Sequence, residues 1–146
     1  MSYSLKVVSY DMAHELKDIG FNDLCDLCYL RDIKDHAFST ACRNVSEIEG
    51  AVYAPRLARV LDWFLDYKDL YITTAPCKDL NGNIGHATIV YDLKTLEEDD
   101  DGSVIPVWTS IDLCPTKPLS ATKDEAIEEG IKFCIDKIKN NEPKSS

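Results

Sequence analysis

The strongest constraint on the fold lies between residues 55 and 67. Leu57, Val60, Leu61, Phe64 and Leu65 recur at spacings of three and four. A helix turns once every ~3.6 residues, so this spacing puts all five side chains on one face. A face that apolar has to be buried, and the rest of the chain must supply what buries it. Pro55 is placed as the first helical residue, where its missing amide hydrogen costs nothing.

Two further helices follow from the same rules. Ser9 can cap a helix over residues 10–19, with Met12, Leu16 and Ile19 on one face. Gly20 then supplies the left-handed residue that ends it, with Phe21 as the apolar contact. Near the other end, Thr122 and Glu125 form a capping box ahead of a stripe made by Ile127, Ile131, Cys134, Ile135 and Ile138. Strands are expected at residues 70–75, 87–93 and 104–113, from β-branched and aromatic content bounded by turn signals. The first two read as an antiparallel hairpin across a turn-rich stretch, residues 78–85. Pro106 confines the start of the third to an edge or an irregular position. Short strands are also expected at residues 5–8 and 27–31, and a loop at 44–50. The sum is a two-layer α+β domain over residues 1–139. An antiparallel meander of three to four strands packs against about three helices, and residues 140–146 form a flexible tail.

Charge excludes several classes of partner. Sixteen Lys and Arg face 26 Asp and Glu, a formal net charge of −10. Such a chain repels phosphate backbones and anionic membrane surfaces, so neither nucleic acid nor membrane is an expected partner. The opening residues lack the charged start and long apolar stretch of a secretory signal, and no segment has the length of a membrane span. The six cysteines are therefore expected as reduced thiols in a cytoplasm.

Candidate chemistry is sparse. Cys25 and Cys28 lie two residues apart and, with His36 and Cys42, could form a three-Cys, one-His zinc site; buried structural thiols are the plainer account. Cys77 and His86 could meet across the hairpin as a thiol–imidazole dyad, although no third group orients them. Glu97, Asp99, Asp101 and Gly102 follow the opening of a calcium loop, but Trp108 stands where the bidentate Glu belongs, so a solvated hairpin loop is expected. His14, in a helix beside Glu15, reads as a surface residue. Arg56, Arg59 and Trp63 share a flank of the second helix, a composition favoured at binding hot spots. They form the candidate binding surface, against the alternative of an indole covering the core edge with arginines stacked on it.

Three stretches resemble small phage and prophage proteins of Bacteroidetes-type bacteria. They are Val8-Ser9-Tyr10-Asp11-Met12-Ala13 with Leu16-Lys17 and Gly20-Phe21, then Ala54-Pro55 with Val60-Leu61-Asp62-Trp63-Phe64 and the strand after it, then Asp124-Glu125-Ala126-Ile127-Glu128-Glu129-Gly130-Ile131. The resemblance covers under half of the chain and implies a small cytoplasmic accessory protein, with no catalytic residue to carry over. The expected function is non-enzymatic binding of a host or phage protein or a small ligand, without a cofactor. A Cys/His-dependent or zinc-binding enzyme and a virion or assembly component are the alternatives, and self-association is a further partner class.

Overall fold

The structure is a computed structural model, and it describes residues 6–23, 25–40, 45–78, 81–110 and 121–141. It is an α+β protein, with three α-helices and antiparallel sheets of three, three and two strands among the described residues. The chain divides into two compact units, residues 1–60 with 135–146 and residues 61–134. The boundaries fall within the second and third helices.

In the first unit, helix α1 (Tyr10–Asp18) begins where the Ser9 hydroxyl accepts the Met12 amide at 3.2 Å. It ends in a Schellman motif. Gly20 takes φ 101° and donates to the Lys17 carbonyl, and Phe21 donates to Leu16. Ala13, Leu16, Ile19 and Phe21 are buried. After it, where a short strand is expected at residues 27–31, the chain forms two strands, β1 (Leu27–Leu30) and β2 (Ile33–Ser39). A short 3-10 turn, Val45–Glu47, leads to β3 (Val52–Tyr53), which completes a sheet of order β2-β1-β3. Cys28 sits opposite Phe38 on one side and Tyr53 on the other. It is buried with Val45 and Ala51, and Leu30, Phe38, Ile48 and Tyr53 pack around them. Ile48, within the expected loop at 44–50, is thus a core contact; residue 44 lies outside the described residues.

Two expectations in this unit are corrected. Of the strand expected at residues 5–8, Leu5 lies outside the described residues, and the rest makes a single antiparallel bridge, Val7 to Arg56. Pro55 does not open the second helix α2 (Leu57–Lys68). The Arg56 carbonyl accepts the first helical amides, from Arg59 and Val60, so Arg56 caps the helix. Pro55 lies one residue before the cap, buried, with its carbonyl accepting the Val8 amide at 3.0 Å. Its lack of an N–H suits this position too, because only its carbonyl is used.

The second unit holds the hairpin. Strand β4 (Leu70–Lys78) pairs residue by residue with β5 (Ile84–Asp92), from Leu70 opposite Asp92 to Lys78 opposite Ile84. Asp69, in the left-handed region at φ 55°, separates α2 from β4. The strand expected at 104–113 splits, because Pro106 has no N–H to give to a ladder. Val104–Ile105 forms β7, paired with β6 (Glu97–Glu98) in a separate ribbon. Trp108–Thr109 forms β8, which joins β5. Residues 111–113 lie outside the described residues.

Helix α3 (Lys123–Asn141) starts on the expected capping box, with the Glu125 amide donating to Thr122 Oγ1 and Glu125 Oε2 accepting the Ala121 amide. It continues through two residues assigned to the flexible tail, and residues 142–146 lie outside the described residues. Ile127, Ile131 and Cys134 of its stripe are buried in this unit. Thr88 on β5 is wholly buried, and its hydroxyl donates to the Ala126 carbonyl at 2.6 Å. One turn on, a Cβ on Gly130 would stand 2.6 Å from Ile72 Cγ2 and 2.8 Å from Thr88 Cγ2. Helix and sheet touch there so closely that only glycine fits.

Gly130→Ala gains about 1 kcal/mol of helix propensity but overpacks a contact of two β-branched side chains, a cost of ~1–3 kcal/mol. The expected result in urea unfolding is a net loss of about 1 kcal/mol. Thr88→Val removes the bond to Ala126 and is expected to cost about 1 kcal/mol by the same measurement.

Candidate interaction surface

Arg56 Nη2 lies 3.1 Å from Asp26 Oδ2, and Arg59 Nε lies 3.3 Å from Asp23 Oδ2. Both cationic heads are thus turned to carboxylates of their own unit. Trp63 is 5 % exposed, a core side chain with the Lys68 ammonium over its ring at 5.5 Å. The indole therefore presents almost no surface to a partner.

Of the candidate zinc ligands, the described Cys25, Cys28 and His36 do not gather. Cys28 is buried among aliphatic and aromatic groups. His36 is on the exposed part of β2, with Nδ1 2.9 Å from Asp35 Oδ1. Cys42 lies outside the described residues. Cys25 is half-buried, and its thiol donates to the Asp23 carbonyl at 3.3 Å. Burial pushes its pKa from the ordinary 9.0 up to about 11; the Arg59 guanidinium opposes this, and Asp23 and Asp26 add to it. Among the described residues no three His, Cys, Asp or Glu side chains are grouped to hold a metal ion.

The hairpin register separates Cys77 from His86. Cys77 stands opposite Gly85, and His86 stands opposite Pro76. Successive residues of a strand point to opposite faces, so the thiol and the imidazole lie on different sides of the sheet. His14, expected on the surface, is partly buried against Tyr10, with ring centroids 4.5 Å apart.

A different segment combines exposure with chemistry. Between β5 and β8 the chain leaves the sheet for residues 93–107. Five of the nine exposed large hydrophobic residues in the described structure fall here: Leu93, Leu96, Val104, Ile105 and Val107, each 40–47 % exposed. Clustered apolar surface of this kind marks contact sites, whereas single exposed aliphatics are ordinary. The local geometry is built, not loose. Asp92 Oδ1 accepts the Lys94 amide where β5 ends. Asp99 Oδ1 accepts the amides of Asp101 and Ser103, both at 2.9 Å, and Gly102 takes φ 82° to close the turn. Val107 returns the chain to the sheet by donating to the Val90 carbonyl.

In the ribbon, Glu97 stands opposite Ile105 and Glu98 opposite Val104. Each face therefore carries one carboxylate beside one aliphatic side chain. A depression of about 180 Å³ lies beside the first pair, lined by Asp92, Thr95, Glu97, Ile105, Pro106 and Val107. Asp92, Glu97, Glu98, Asp99, Asp100 and Asp101 face one cation of the segment, Lys94, which sits 3.8 Å from Asp69. The acidic run matches the expected solvated hairpin loop. The aliphatic residues flanking it were the overlooked signal: a run too charged to bury holds its apolar neighbours at the surface.

Comparison with protein-family models, curated proteins and solved structures finds no match to this chain.

The pKa of Cys25 makes a prediction. A thiol whose folded pKa is raised loses stabilising effect as the pH climbs, so stability is expected to fall between pH 9.0 and about 11. At neutral pH, alkylation by iodoacetamide is expected to be slower at Cys25 than at a free thiol, and peptide mass spectrometry of labelled protein measures it.

Proposed function

We propose that the protein is a non-enzymatic binding module, a small acidic accessory protein of phage type acting in a bacterial cytoplasm. Residues 92–107 are its recognition surface. The observation that carries this is the set of five aliphatic side chains held half in water on a hydrogen-bonded excursion from the sheet. A two-stranded ribbon is marginal alone, and apolar groups on it gain free energy only when something covers them. The partner is a protein, because a depression of about 180 Å³ is below the ~300–1,000 Å³ of small-molecule pockets. No helix among the described residues is long and apolar enough to cross a membrane.

The test is affinity capture from lysate of cells that make the protein, comparing the native chain with the double variant Ile105→Asp, Val107→Asp. Both positions are more than two-fifths exposed, so the variant is expected to unfold within about 0.5 kcal/mol of the native chain. It is expected to lose the partners that the native chain retains. Recovery of the same partners by the folded variant overturns the assignment of this surface.

A further inference from the structure

We infer that the occupant of this surface is an extended protein segment in which pairs of basic side chains alternate with pairs of aliphatic ones. The inference rests on the recognition surface assigned above and names the partner class that fits it. Three features of the ribbon select that chemistry.

The first is the pairing of charge with apolar surface. Glu97 shares a face with Ile105, and Glu98 shares the other with Val104. A purely apolar partner would bury these carboxylates without compensation, which opposes binding. A purely basic partner would leave the aliphatic side chains wet. A segment that offers both meets each group with its complement.

The second is shape. The β6–β7 sheet has two strands, so each strand has one side with no ladder partner among the described strands. Extended segments commonly add to such edges through main-chain hydrogen bonds. Residues two apart then fall on the same side, ~6.6 Å from each other, so a repeat of two basic and two aliphatic residues offers each face one basic group for its carboxylate and one aliphatic group for its apolar side chain.

The third is what the surface repels. Six carboxylates against one paired ammonium disfavour any phosphate-bearing polymer. They also disfavour a second copy of the same ribbon, because a two-fold contact sets a patch against itself and would bring Glu97 and Glu98 near their own equivalents.

The probe is a synthetic peptide of about eight residues repeating two lysines and two valines, read by fluorescence anisotropy against the full chain. Two control peptides replace lysine by glutamate or valine by serine. The lysine–valine peptide is expected to bind, and to weaken about tenfold between ~0.05 and ~0.5 M salt as the charges are screened. Ile105→Asp is expected to weaken it similarly. The double reversal Glu97→Lys, Glu98→Lys is expected to lose the lysine–valine peptide and gain the glutamate–valine one. If the reversal leaves lysine–valine binding intact while Ile105→Asp abolishes it, the surface stands and the basic class is wrong. No effect of Ile105→Asp removes the surface itself. Equal binding of the lysine–serine peptide removes the aliphatic requirement. Self-association in sedimentation that Ile105→Asp abolishes makes a second copy the occupant and overturns the inference.

Discussion

The second unit depends on the close approach of α3 to the β4–β5 hairpin at Gly130. The absent side chain lets Ile72 and Thr88 reach the helix backbone, and the Thr88 hydroxyl bonds the Ala126 carbonyl one turn earlier. Thr88 is at the same time the joint between β5 and the segment after β8. Its amide donates to Ser110 Oγ, and its carbonyl accepts the Ser110 amide. Trp108, one strand over, stacks on Phe133 of α3 with ring centroids 4.8 Å apart and planes 10° apart. Both ends of the excursion at 93–107 are therefore clamped to strands that the helix holds.

That clamping explains how a two-stranded ribbon can persist with aliphatic groups in water. A free hairpin of this length would be lost to chain entropy. Here the entropic cost is lowered by fixing both stems, and Asp99 takes up two amides that the tight turn would otherwise leave to solvent. The remaining carboxylates keep the segment hydrated.

The helices were legible in the sequence because their signals are local. Ser9, Gly20, Thr122 and Glu125 act within one turn of their own backbone, and each makes the bond its type and position imply. The β4–β5 hairpin was legible for the same reason, through runs of β-branched residues bounded by turns. Strand β2 was not. Residues 33–36 are all exposed, so alternation between inside and outside has nothing to register there. Pro55 misled because its missing amide hydrogen suits both the first helical position and the residue before a cap, and only the bond from Val8 separates the two. Trp63 was ambiguous by type, since an indole serves equally at an interface and at a core edge.

What the sequence by itself determined was the three helices, the caps of the first and third, the β4–β5 hairpin and the sign of the net charge. These depend on spacing, on capping groups and on a sum over side chains. Tertiary structure alone decided which apolar residues stay in water and which reactive pairs can meet. Leu96 and Ile105 are as hydrophobic as Leu70 and Ile72, yet the first two are exposed and the others buried. The cause is the departure of the chain from the sheet after Asp92 into a run of carboxylates, not a difference between these side chains themselves. Cys77 and His86 are parted by a register that follows from the whole β4–β5 ladder. Burial and pairing are relations between distant parts of a chain, and no local pattern carries them.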